Sequence, residues 1–351
     1  MRIAQLAPIW KTVPPKKYGG TELVVSELTE ELVRQGHQVT LFACGGSSTT
    51  GKLVEVIQKP MYDLAGGFGW KTIQPYMFLE FAELIKHLKD FDIIHNHIDD
   101  FYPLVFAPLI DIPLVTTWHS STRPNFPFLA ERFKDNFFVS ISDAQRQLAP
   151  YLNYVQTIYH GLPIKRYEFA NDSRNDFLFF LGSLTAEKGV DLAVKAASEM
   201  GEKLIIAGER RKADEEFLRE KVLPYVDGEK IKLLGEISFQ EKIHYYSQAK
   251  ALLFPSQWHE AFGLVMIEAL ACGTPVIAYN HGSVSEVIEN NKTGFVVDNF
   301  SDFKQSISQI ASISRSDCRL AAETRFDVKI MADNYVKLYQ QLIKNNRSAV
   351  R

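Results

Sequence analysis

Short apolar runs alternate with longer amphipathic segments along nearly the whole chain. Arg2 to Ala7 is the first run, read as a parallel strand covered on both faces, where the alternation of apolar and polar positions disappears. From Thr21 onward, Leu23, Val24, Leu28 and Leu32 recur on one helical face until Gly36 stops the helix. His37 to Ala43 reads as the second strand, and the polar, glycine-rich residues 45 to 70 as loop and connector. A helix is predicted over 76–88, with strands over 91–95, 113–118, 137–141 and 156–159. Gly161, Pro163 and the polar segment 166–176 mark a boundary, after which the pattern restarts. Strands are predicted over 177–181, 203–207, 230–234, 251–255, 276–279 and 294–297. Helices are predicted between them, and two more over 303–313 and 328–343 close the chain. This alternation predicts an α/β protein of two Rossmann-like, doubly wound domains. The expected division is 1–163, 164–326 and a closing helix in 327–351, which suits a chain of 351 residues.

Composition narrows the picture. The apolar share of 46% supplies two cores, and a net charge of −3 gives no reason to expect a nucleic-acid partner. Cys44, Cys272 and Cys318 cannot all pair, and their spacing suits neither zinc nor a redox dithiol. Met1 runs into a strand without the basic and apolar regions of a signal peptide, and no apolar run is long enough for a bilayer. The expectation is a cytoplasmic protein with no transmembrane segment, for which peripheral contact with a membrane stays open.

Chemistry concentrates in one stretch, Gln257 to Pro275. A polar loop leaves an apolar strand and becomes a helix with Leu264, Ile267 and Leu270 at helical spacing. Gly273 and Pro275 stop it. Ala261, Phe262, Gly263, Leu264 and Val265 are thus read at a helix N-terminus, where N–H groups without intrahelical partners and the macrodipole attract an anion. Glu260 stands at the entry and Glu268 eight residues on, and carboxylates beside a phosphate site suit sugar or ribose hydroxyls. In the first half, Tyr18-Gly19-Gly20-Thr21 forms a strand–turn–helix crossover. A dinucleotide dehydrogenase would show G-x-G-x-x-G there and an acidic residue closing the second strand, which instead ends Phe42-Ala43-Cys44. His119 is delivered to the carboxyl end of a predicted strand, the edge where open α/β sheets bind ligands.

Glu260-x7-Glu268 followed by Ala269-Leu270-Ala271-Cys272-Gly273-Thr274-Pro275-Val276 resembles the E-x7-E signature of the retaining family 4 glycosyltransferases. The resemblance runs from the first strand to the last helix. It implies the GT-B fold, with two Rossmann-like domains facing each other across a cleft and the C-terminal helix crossing back to the first domain. It also implies that Glu260 lies by the donor sugar and Glu268 binds the ribose of the nucleotide. Gly19 and Gly20 would face the donor phosphates, and His119 the hydroxyl at carbon six of the sugar. The loop at Glu236 and Ile237 would touch the base. The family turn Gly-Arg-Leu-x-x-x-Lys-Gly places two cations on the diphosphate; here it reads Gly182-Ser183-Leu184 with Lys188-Gly189, so Ser183 replaces the arginine. Arg210 or Arg211, after the neighbouring strand, is a candidate to extend a guanidinium into that space.

The implied reaction moves a sugar from a nucleotide diphosphate sugar, of UDP- or GDP-hexose type, to an unidentified acceptor with retention. Catalysis would rest on His119, Lys188 and Glu260, with no cofactor. A nucleotide-sugar epimerase of the same fold and a non-catalytic nucleotide-sugar binder are the alternatives. A glycosidase needs two carboxyls flanking one bond, which eight residues of helix, about 12 Å at the usual rise, make hard to arrange. No metal is expected. Asp90-Phe91-Asp92 matches a metal-binding D-x-D pattern, but it precedes a strand and so falls at the wrong edge of the sheet. His95 and His97 form only a pair, weak evidence for zinc.

Overall fold

The computed structural model of the chain describes residues 1–64, 70–100, 102–121, 131–171 and 176–349. It divides into two compact units, Met1–Gly161 with Val328–Arg351, and Leu162–Asp327.

Among the described residues, the first unit holds a seven-stranded parallel sheet. Its strands are β1 Arg2–Leu6, β2 Gln38–Cys44, β3 Lys52–Ile57, β4 Ile93–Asn96, β5 Leu114–Thr117, β6 Phe137–Ser140 and β7 Tyr154–Thr157. The order is β3-β2-β1-β4-β5-β6-β7, so the winding reverses between β1 and β4. Past the exposed Arg2, both strands at that reversal are buried: Ile3, Ala4, Leu6, Ile93 and Ile94 are all fully covered. The helix Gly20–Arg34 follows β1. The final helix, Val328–Ala349, belongs to this same unit. Asp333 on it accepts a hydrogen bond from Gln35 at 2.9 Å, and its Tyr335 and Tyr339 are buried.

The second unit repeats the plan with β8 Leu178–Leu181, β9 Leu204–Ala207, β10 Ile231–Gly235, β11 Ala251–Phe254, β12 Val276–Tyr279 and β13 Gly294–Val297. Their order is β10-β9-β8-β11-β12-β13, with the reversal between β8 and β11. Among the described residues every strand pair in both sheets is parallel, so all the strands of a unit share one carboxyl edge, the edge where open α/β sheets take ligands.

Three local readings change. The segment 45–70 is not only connector: β3 lies in it, parallel to β2, and the short helix Met61–Leu64 follows. β3 is an edge strand whose side chains are mostly half covered, so it lacks the continuous apolar run of the central strands. The helix of the 257–275 stretch is Leu264–Ala271, capped by Gly263, so Ala261 and Phe262 precede it. A helix at Arg315–Arg325 was not anticipated, because its sequence is mostly polar. Tertiary contacts secure it: the Arg315 guanidinium is buried and donates to the carbonyls of Ala170, Ser247, Ala249 and Cys272.

Candidate active site

In the second unit the reversal point brings together the turn after β8 and the loop after β11. Gln257 and Trp258 donate their backbone N–H groups to the Glu187 carbonyl at 2.7 and 3.2 Å. The close approach requires Gly189: at φ +72, a Cβ there would lie 2.0 Å from the Pro255 carbonyl oxygen. This joint sets Lys188 beside Glu260, and the two form a direct ion pair. Ser256 Oγ donates to the same Glu260 oxygen at 2.8 Å. From behind, Ser283 donates its N–H to the Glu260 carbonyl at 3.0 Å, and a Cβ on Gly282 would come within 2.2 Å of that oxygen. Glu260 is therefore fixed at both backbone and side chain, just ahead of the helix that starts at Leu264. The first-turn N–H groups there, Leu264 and Val265 among them, form the expected positive end.

Glu268 lies on the buried side of that helix, 2% exposed. Lys242, on helix Phe239–Gln248, forms an ion pair with its Oε1. Tyr246 and Tyr167 donate hydroxyls to its two oxygens at 3.2 and 3.4 Å. The two glutamates thus sit in separate settings, one paired to Lys188 and the other to Lys242. Neither pairing is legible in the sequence, and Lys242 carries no signal there, since only the fold brings the two helices together.

The other predicted contacts are distributed around this edge. Ser183 is half-buried in the turn after β8, where its carbonyl accepts from Thr185 N–H at 2.9 Å. Arg210 binds Glu215 through Nε at 2.8 Å and Nη2 at 2.5 Å, and Arg211 binds Asp214 at 2.7 Å. Each of these guanidiniums is committed to a neighbouring carboxylate. Glu236 and Ile237 link β10 to helix Phe239–Gln248, with Glu236 exposed.

In the first unit, Gly19 caps the helix Gly20–Arg34, and a Cβ on it would collide with Pro15 and crowd the Glu22 carboxylate. Burial raises the Glu22 pKa above its ordinary value. His119 follows β5 and is held at its backbone by Asp99, which accepts its N–H at 2.8 Å. Its Nε2 lies 2.9 Å from His97 Nδ1, and His160 stacks on its ring with centroids 5.1 Å apart. Burial lowers the His119 pKa to about 3 and pulls His95, His97 and His160 well below the ordinary imidazole value.

Asp92 lies at the amino ends of β1 and β4, where it binds the Arg2 guanidinium at 2.9 Å and the Arg2 N–H at 2.8 Å. That is the edge opposite to His119. Among the described residues no group of three or more histidine, cysteine or acidic side chains is placed to share a metal ion. No helix among them is long and apolar enough to cross a membrane. The three cysteines are buried and unpaired, and burial pushes the Cys272 thiol up to about 12.

Two family models match successive parts of the chain: Glycosyltransferase Family 4 over residues 18–158, and Glycosyl transferases group 1 over residues 163–326. The O-antigen chain mannosyltransferase C of Escherichia coli is 21% identical, over 96% of this chain and 98% of its own. An uncharacterized glycosyltransferase of Methanocaldococcus jannaschii is 28% identical, over 62% of this chain and 65% of its own length. Among solved structures, sucrose-phosphate synthase of Thermosynechococcus elongatus superposes with a TM-score of 0.80 at 20% identity, covering 98% of this chain and all of that one. HepE of Anabaena, in complex with UDP-glucose, gives 0.76 at 18% identity, covering 97% and 100%.

Proposed function

Since the chain belongs to family 4 of the glycosyltransferases, with the GT-B fold, we propose that it moves a hexose from a UDP- or GDP-sugar to an acceptor with retention and without a metal ion. The observation that carries this is the edge at the β8/β11 reversal, where a helix N-terminus, Lys188 and a fixed carboxylate, Glu260, converge. Transfer must stabilise two things at once, a departing diphosphate and an electron-poor anomeric carbon. The helix start and Lys188 supply fixed positive potential for the first. Preorganised donors of this kind are each worth about 3–4 kcal/mol in the best-measured enzymes. Glu260, oriented by Ser256 and by its own backbone, suits the hydroxyls of the sugar. Its pairing to Lys188 keeps the cation in place and offsets the repulsion between carboxylate and diphosphate. Glu268, deeper on the helix, takes the ribose, and Lys242 neutralises it there.

In the first unit, the neutral, hydrogen-bonding edge at His119 suits a sugar hydroxyl. Metal independence is supported by the position of Asp90 and Asp92 at the amino edge, with Asp92 already engaged by Arg2. Nucleotide-sugar chemistry is consistent with the UDP-glucose bound in HepE. With Ser183 in place of the family arginine, the diphosphate depends more heavily on Lys188 and the helix start.

Thermal shifts with UDP, GDP and ADP test the nucleotide assignment first, because a ligand at 100 times its Kd adds about 2.7 kcal/mol. Incubation with UDP- and GDP-hexoses in excess chelator then follows release of nucleotide diphosphate, and proton NMR reads the anomeric configuration of the product. Retained configuration in chelator is the expected result. Inverted product, an epimerised donor, or activity that requires added magnesium or manganese would each overturn part of the proposal.

A further inference from the structure

His119 stands just past the carboxyl end of β5, and its chemistry depends on which ring nitrogen carries the proton. The surrounding polar chain answers this atom by atom. Gln5, fully buried in β1, sets its Oε1 2.6 Å from His97 Nε2. With the amide in this orientation the oxygen only accepts, so His97 carries its proton on Nε2 and presents a lone pair at Nδ1. His119 Nε2, 2.9 Å from that lone pair, must then be the donor. That leaves His119 Nδ1 as a bare acceptor, shielded from solvent and without a hydrogen-bond partner among the described residues.

We infer that His97 is a positioning residue that holds His119 neutral with its proton on Nε2, so that Nδ1 is reserved to accept a hydrogen bond from a hydroxyl of the bound substrate. His119 is then a directional acceptor and not a general acid. That the hydroxyl belongs to a transferred sugar rests on the function proposed above; the tautomer does not.

The cluster is built to keep that arrangement. His95 packs against His97 with ring centroids 3.8 Å apart. Its Nδ1 is 2.6 Å from Tyr339 Oη, and its Nε2 is 2.7 Å from Thr117 Oγ1, which lies 2.8 Å from Tyr335 Oη. Both tyrosines come from the final helix of the chain, so that helix braces the imidazoles from behind. Among the described residues, the titratable groups near His119 are His97, His160, His95 and Asp99, and Asp99 accepts its backbone N–H. A proton added at Nδ1 would place a cation among buried neutral rings, which low dielectric disfavours.

The test is imidazole 15N–1H long-range correlation spectroscopy on the full chain without ligand, between pH 5.5 and 8.5. The expected spectrum shows His119 protonated at Nε2 and bare at Nδ1, unchanged across the range. A proton on Nδ1, or a titration of His119 within the range, overturns the inference, and neither outcome bears on whether sugar transfer occurs. In a second arm, His97→Leu removes the acceptor for His119, while His97→Asn can return an amide oxygen near the position of Nδ1. With a UDP- or GDP-hexose that proves to be a donor, His97→Leu should lose about tenfold in kcat/KM, the worth of one buried hydrogen bond. His97→Asn should recover most of it and restore the Nε2 signal of His119. Equal loss in both variants, with the His119 signal unmoved, would sink the positioning role.

Discussion

The two units share a device and fill it with opposite chemistry. Each has a parallel sheet whose winding reverses at one point, between β1 and β4 or between β8 and β11. At the first, the buried imidazoles of His95, His97 and His160 lie beside the partly covered His119, all with pKa values lowered by burial, and hydroxyls and an amide brace them. At the second, charges are kept and paired, Lys188 with Glu260 and Lys242 with Glu268, beside the positive end of a helix. Topology thus sets the edge where open α/β sheets take ligands, but not the chemistry placed there. A neutral, directional edge suits hydroxyl recognition, and a charged one suits a diphosphate. The shared fold carries both because loops leaving the carboxyl ends of strands diverge at each reversal, and the residues on those loops vary without disturbing the backbone ladder.

The largest expected effect breaks the charged edge. Lys188→Ala should lower kcat/KM by about 10²–10³, the cost of one preorganised donor, because it removes the cation and leaves Glu260 facing the diphosphate alone. A loss under fivefold would show that the helix start suffices. Glu268→Ala comes next. It strands Lys242 in a nearly buried site, so stability should fall by about 3 kcal/mol and nucleotide diphosphate affinity should drop in calorimetry. Glu260→Ala should instead lower turnover with less loss of nucleotide affinity, and equal effects on affinity would erase the division between the glutamates.

The neutral edge gives a pH signature. The folded-state pKa values of His95, His97, His119 and His160 lie below the ordinary 6.5, that of His119 at about 3. The unfolded chain binds protons that the folded one refuses, so their contribution is complete above pH 6.5 and is lost as pH falls. Each such histidine costs up to about 1.4 kcal/mol per pH unit below that point. Hydrogen exchange at pH 7 and pH 5 should show protection lost in residues 1–161 while 162–327 stays protected, the lowered carboxylates of the second unit titrating only further down. Equal loss in both units would end the comparison. The smallest effect is Asp92→Ala, which should leave nucleotide binding unchanged and cost about 1 kcal/mol or less, as expected for a largely exposed ion pair.

Much of this molecule is legible in the chain itself. Runs such as Ile3–Leu6, apolar but for Gln5, and Ala251–Phe254 announce strands covered on both faces, and Gly36 and Gly273 mark helix ends where the backbone takes a positive φ. Glu260 could be placed at the carboxyl edge of the sheet from spacing, because it follows a strand by a short turn, and Lys188 from the resemblance of its turn, while the helix starts a few residues later than the pattern predicts, at Leu264. What the sequence does not contain is the identity of partners distant along the chain. That Lys188 is shared with Glu260, that Lys242 neutralises Glu268, and that Tyr335 and Tyr339 brace histidines more than two hundred residues away follow from how strands are ordered and helices returned. Charge state and tautomer are decided there too, since a pKa depends on burial and on neighbours, and only the folded chain has either.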